Sequence, residues 1–162
     1  MSAPLIVDQA LLDHLAREAG SSARGRKNLN FHTDPAAPCQ RLLNALEPGT
    51  YVRPHRHLDP AKDEALVILR GRIGILFFDN AGRVTETALL DARGDIIAID
   101  IPHGAFHSVV ALASGSVVFE AKAGPYVAQT PEEWAPFGPA EGSEDCARYR
   151  TWMESFFPSG KD

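Results

Sequence analysis

The residues best able to do chemistry together lie in two short stretches. In the first, running from Gly49 to Gly71, His55 and His57 stand two apart and Glu64 follows in the next apolar segment. Side chains at i and i+2 of an extended strand leave the same face about 7 Å apart, so two imidazoles can converge on one ion. A turn through residues 58–63 would return the Glu64 carboxylate to their side. In the second stretch, Gly94 to Leu112, Pro102 and Gly104 mark a tight turn, and His107 enters the strand after it. A third imidazole from a neighbouring strand completes a divalent-metal set of His55, His57, Glu64 and His107. Three nitrogens and a carboxylate suit zinc, iron, manganese or nickel alike. They leave positions open on an octahedral ion, as a catalytic centre requires. Asp63, beside Glu64, is the alternative carboxylate.

Other polar residues fall near this set. Arg53 and Tyr51 share the strand parity of the two histidines and are expected to face the same cavity. Arg53 could grip a carboxylate or phosphate through two parallel hydrogen bonds, or close an ion pair at the cavity mouth. Tyr51 could touch a ligand, but core filler with a satisfied hydroxyl is the simpler role. His103, in the turn before His107, is a candidate acid or base at the rim, or else a solvent-exposed turn residue. Glu120 and Lys122 alternate on one strand face and read as an outward, solvated pair. His32 and the polar run from Arg24 to Asn30 either cap the cavity or hold an N-terminal arm. His14 reads as a surface or packing residue of the first helix.

These side chains need elements to position them, and the chain divides into three textures. Residues 1–38 form an N-terminal helix and arm. Asp8 is a plausible N-cap, Leu11, Leu12 and Leu15 follow at helical spacing, and Gly20 is expected to stop the helix. Residues 39–123 read as short strands punctuated by Gly71, Asp79–Gly82, Asp91–Gly94, Pro102 and Ser114-Gly115, a pattern of sandwich or barrel. The strands run over 65–69, 73–78, 84–90, 96–101, 106–112 and 117–122. The segment Cys39–Leu46 has no clean alternation, and by periodicity alone it reads as helix. Residues 124–162 are a proline-rich loop and a short helix over 146–157, packed on the barrel within one domain.

Composition excludes several function classes. With 162 residues and 16 Lys plus Arg against 21 Asp plus Glu, the chain carries a net charge of −5 and no basic block. A nucleic-acid or anionic-membrane surface is therefore not expected. The start, MSAPLIVDQALLDHL, has neither the basic nor the apolar part of a signal peptide. The two cysteines, Cys39 and Cys146, make no disulfide framework and read as packing residues, which suits a reducing cytoplasm.

The two histidine stretches resemble the two cupin motifs. The first matches Gly49-x5-His55-x-His57 and Glu64-x6-Gly71, with six residues between His57 and Glu64 where three or four are usual. The second matches Pro102-x-Gly104-x2-His107, with Gly94 two residues further upstream than usual and Ala111 where Asn is frequent. The strings NLNFH at 28–32, QRLLNALEPGTYVRPHRH at 40–57, FEAKAGPY at 119–126 and WAPFGPAEG at 134–142 resemble the WbuC family of cupin-fold metalloproteins. That resemblance implies an all-β cupin fold, a double-stranded β-helix or jelly-roll barrel, flanked by a short N-terminal helix and a C-terminal helical extension. It makes Cys39–Leu46 a barrel strand. It also implies one bound divalent metal, a small-molecule ligand, a homodimer and a link to surface-polysaccharide (O-antigen) synthesis. The resemblance implies no reaction, but a bound ion with open positions could polarise a carbonyl or hydroxyl as a Lewis acid and support isomerisation or epimerisation of a sugar or nucleotide sugar. Fe(II)-type dioxygenase chemistry and metal-dependent ligand binding without turnover stay open beside it.

Overall fold

The computed structural model describes residues 4–158; the outer ends of the N-terminal arm and of the C-terminal extension, 1–3 and 159–162, lie outside the described residues. The helix α1, Gln9–Ser21, begins where the Asp8 side chain accepts the Leu11 N–H, as its sequence predicts. It does not stop at Gly20. The helix runs past that residue, and Ser22 ends it by turning to extended backbone while its N–H bonds the Ala19 carbonyl. A left-handed glycine is therefore not needed there, and the first one comes at Gly25.

Eight strands follow: β1 Arg26–Asn30, β2 Cys39–Leu46, β3 Glu64–Arg70, β4 Arg72–Phe78, β5 Val84–Asp91, β6 Ala98–Ile101, β7 Phe106–Ala111 and β8 Ser116–Ala123. A second helix, α2, spans Cys146–Glu154. All pairings are antiparallel, in one sheet ordered β1-β2-β8-β3-β6 and another ordered β5-β4-β7. The segment 51–57 extends the smaller sheet, because His55 bridges to His107 of β7. Leaving β1 aside, successive strands are thus distributed four to each sheet in the order of a jelly roll, the architecture of cupins. The jelly roll expected from the sequence is the fold found. Among the described residues no helix is long and apolar enough to cross a membrane.

The helical reading of Cys39–Leu46 is corrected, and its cause is visible. β2 is an inner strand whose two faces are both covered from Leu42 to Leu46. Leu43 and Ala45 lie under α1 with Leu12, Leu15 and Val117. Gln40, Asn44 and Leu46 instead face the barrel interior. With both faces covered, polarity does not alternate. A lesser correction concerns 96–101: only Ala98–Ile101 is strand, and Ile96 and Ile97 are half exposed.

Each sheet is covered outside and joined inside. Leu66, Ile68, Ile73, Ile75, Leu90 and Ile101 fill the barrel between the sheets. The outer face of the smaller sheet, with Leu76, Phe78, Phe106 and Val110, packs under Met153 and Phe157 of the C-terminal extension. Gly71, between β3 and β4, has φ +74° and a Ser116 Cα 2.8 Å from where a side chain would begin, so only glycine fits this corner.

Candidate metal centre

His55 and His107 face each other across two backbone hydrogen bonds, His55 N–H to His107 O at 3.0 Å and His107 N–H to His55 O at 2.8 Å. This pairing sets their rings 4.5 Å apart. The turn before His107 is fastened to the first stretch, because Gly104, at φ +78°, donates its N–H to the His57 carbonyl at 2.7 Å. The His57 ring then lies 5.5 Å from that of His55 and 6.0 Å from that of His107. One ring nitrogen from each of the three comes within 4.8 Å of the others.

The rings are prepared to offer lone pairs. His55 Nδ1 lies 2.9 Å from the Arg53 carbonyl and His107 Nδ1 lies 3.0 Å from that of Ala105. A carbonyl only accepts, so each Nδ1 carries the proton and each Nε2 is free to bind a cation. Burial pushes the His55 imidazole down to about 3, helped by neighbouring His107. Burial lowers His107 as well. Both rings are therefore neutral at neutral pH.

Glu64 lies beside this trio but outside it. Its Oε2 is 2.9 Å from His57 Nε2 and 3.5 Å from Lys122 Nζ, its register partner on β8. Burial opposes its ionisation. The hydrogen bond to His57 and the charge of Lys122 outweigh that and hold the carboxyl below the usual carboxylate range. Asp63 is turned away: it is exposed and accepts both the backbone N–H and the ring nitrogen of His103, at 2.8 and 2.7 Å.

Glu120 and Lys122 point into the barrel, which corrects the outward reading. Lys122 bridges the carboxylates of Glu64 and Glu120, and Asn44 donates its amide to Glu120. Burial, with the nearby Glu64 charge, raises the Glu120 carboxyl. The Lys122 ammonium is penalised by burial, yet the two carboxylates more than compensate and raise it.

These groups surround a cavity of about 260 Å³ whose wall includes Arg53, His55, Glu64, His107, Lys122 and Trp134. Arg53 reaches it as its parity predicts. Its guanidinium lies over the Trp134 ring at 5.1 Å and donates weakly to the Ala135 carbonyl at 3.4 Å, while its Nε is buried with no partner. Tyr51 does not follow the same parity. Only His55 of segment 51–57 pairs as a strand residue, so alternation fails, and the Tyr51 ring joins Tyr149 and Met153 with its hydroxyl on the Pro139 carbonyl. His103 stays at the exposed rim with Asp63. Arg24 and Arg26 both bind Glu141 of the C-terminal extension, so this part of the polar run holds the arm. His32 meets the Arg41 backbone, and His14 lies on the surface near Glu18. The sequence reading missed Trp134 and Glu141, although both lie within the string WAPFGPAEG; nothing local to either residue marks it as a cavity or clamp residue.

A family model described as "Domain of unknown function (DUF6016)" matches residues 7–90. No curated protein matches the chain. Among solved structures, a conserved protein of unknown function, SPY1581 from Streptococcus pyogenes, is 13% identical, with a TM-score of 0.52 over 78% of this chain and 93% of that one. KdgF from Halomonas sp. is 20% identical, with a TM-score of 0.49 over 63% and 80%. A cupin-2 domain containing protein from Shewanella frigidimarina is 19% identical, with a TM-score of 0.46 over 60% and 80%. At these identities the likeness is one of fold.

Proposed function

Since the chain belongs to the DUF6016 family, whose function is unknown, its chemistry has to be read from the site, and we propose that it is a metal-dependent cupin enzyme. Its substrate would be a small, hydroxyl-rich molecule carrying an anionic group, such as a sugar acid or nucleotide sugar. The observation that carries this reading is a cavity whose wall holds His55 and His107, two of the three clustered imidazoles, together with the guanidinium of Arg53, which meets no carboxylate.

The donor set fits a divalent ion: three nitrogens lie close together, two of them with the proton held on the far side of the ring. His55, His57 and His107 would hold it. Glu64 would be the fourth ligand once its hydrogen bond to His57 opens. Such an ion supplies Lewis acidity, polarising a carbonyl or hydroxyl. The chain's own residues do the rest. Among the described residues Arg53 pairs with no carboxylate, so its fork is available to a carboxylate or phosphate oxygen. Trp134 fixes the plane of that fork and lies 5.9 Å from the His55 ring, which keeps the anion site beside the trio. Lys122, held between two carboxylates, adds no free charge to compete for the anion.

The resemblance of the flanking strings to the WbuC family supports a place in surface-polysaccharide synthesis, and a cytoplasmic homodimer is part of the same proposal. The test is product formation from sugar acids and nucleotide sugars, with zinc, manganese, nickel or iron(II) supplied in turn. Turnover with one of these metals, reduced mainly through KM in Arg53→Gln, is the expected result. Tight binding without product under every metal would replace the enzyme with a binding protein. Turnover only with iron(II) and oxygen would favour dioxygenase chemistry.

A further inference from the structure

Glu120 and Lys122 are shared by two cavities. Beyond them, on a wall that includes none of His55, His57 and His107, lies a second cavity of about 510 Å³, lined by Asn28, Asn30, His32, Gln40 and Tyr126. The alternation of β1 explains how its floor differs from its neighbour. Arg26, Asn28 and Asn30 share one face of the strand, but Arg26 is bound by Glu141 while the two asparagines open onto the second cavity.

The lining is rich in hydrogen-bonding groups and lacks free charge. Asn28 Nδ2 donates to Asn30 Oδ1 at 2.8 Å; among the described residues no protein group takes Asn28 Oδ1 or Asn30 Nδ2. His32 Nδ1 lies 3.1 Å from both the N–H and the carbonyl oxygen of Arg41, and among the described residues its Nε2 meets no protein group. Gln40 gives its amide hydrogens to the Pro35 and Ala37 carbonyls and keeps its oxygen free. Lys122, the cation of this wall, is neutralised by Glu120. Tyr126 is 63% exposed, and its backbone N–H is fastened to the Pro35 carbonyl at 2.7 Å.

We propose that this second cavity is a saccharide subsite, taking one neutral, hydroxyl-rich ring. A sugar hydroxyl both donates and accepts, and so do the side-chain amides that face it. An aromatic ring at the rim offers a flat apolar surface to the C–H face of a pyranose. An anion finds no unpaired cation here, in contrast to the cavity with Arg53. That one ligand spans both cavities across the Glu120–Lys122 ledge rests on the metal-site reading; binding of a neutral ring in this cavity does not.

The test follows the side-chain amide signals of Asn28, Asn30 and Gln40 in a ¹⁵N-labelled, metal-free protein titrated with methyl β-glucoside, methyl β-galactoside and maltose, with galacturonate as the charged comparison. At least one neutral sugar should shift these signals saturably. Asn30→Ala and Tyr126→Ala, each with an otherwise unchanged spectrum, should weaken binding about tenfold, the loss of roughly one good contact. His107→Ala should bind that sugar as the wild type does, so a failed metal centre and a failed subsite are told apart. The proposal is overturned if no neutral sugar shifts these amides at up to about 50 mM, or if both substitutions leave the affinity unchanged.

Discussion

The inner face of the barrel changes character along its strands. On β3, Glu64 gives way to Leu66 and Ile68; on β7, His107 gives way to Val109 and Ala111; on β8, read backwards, Lys122 and Glu120 give way to Val118. At the apolar end nothing needs a partner, and stability comes from surface removed from water, about 25 cal/mol for each Å². At the polar end the carboxylates are costly to bury and are kept by pairing: Glu64 with His57 and Lys122, Glu120 with Lys122 and Asn44. Buried pairs of this kind are often no more stabilising than apolar residues of the same volume. One half of the interior therefore holds the barrel shut, and the other half spends stability on a site.

The largest effect should come from the apolar end. Ile75→Ala, at a fully buried position, should cost about 2–5 kcal/mol in chemical denaturation, while the folded fraction keeps its metal content. An effect below 1 kcal/mol, on the order of a surface change, would break the division between the halves.

Acidification should act on the polar end next. The His55 ring takes up its proton only near pH 3 when folded but near 6.5 when unfolded, so the unfolded chain binds more protons between those values. Stability of the metal-free protein is then fully present above about pH 6.5 and falls as pH drops toward 3, by on the order of 2 kcal/mol after allowing for the water-accessible cavity. His55→Gln should flatten that limb relative to the wild type; parallel curves would show that the ring is not held neutral.

Lys122→Met leaves Glu64 and Glu120 facing one another without a cation and should cost about 1–2 kcal/mol at pH 7, less than the loss of a fully buried partner because the Lys122 side chain is 21% exposed to water. Adding Glu120→Leu should recover most of that loss, as expected where a charge pair is kept for something other than stability. A double variant as unstable as the two single losses summed would show that the polar end supports the fold directly. The smallest effect belongs outside the barrel. Glu141→Ala, which frees Arg24 and Arg26 on the half-exposed surface, should lower stability by about 0.5 kcal/mol and leave metal loading unchanged.

The same contrast explains what could be read from the sequence. Strand ends were legible because turn chemistry is local: Gly71, the Asp79–Gly82 turn and Gly115 all adopt or enclose left-handed backbone. The convergence of His55, His57 and His107 followed from matched spacings around Gly49, Pro102 and Gly104. β2 misled because both its faces are covered, one of them by a helix from another part of the chain. Glu120 and Lys122 misled because a charge can face inward only when partners arrive from β2 and β3, which no window along β8 reveals. Tyr51 went astray because segment 51–57 is irregular, so parity carries no further than Arg53. Trp134 and Glu141 act across about 80 and 115 residues of chain, and no local pattern encodes such distances.

Metal content measured by elemental analysis on purified wild type and His107→Ala tests the central claim most directly. One divalent ion per chain in the wild type, and near-complete loss in a variant that keeps the wild-type circular dichroism spectrum, is the predicted result. Equal stoichiometry in both proteins, or no metal taken up by the wild type from zinc, manganese, nickel or iron(II), would contradict it.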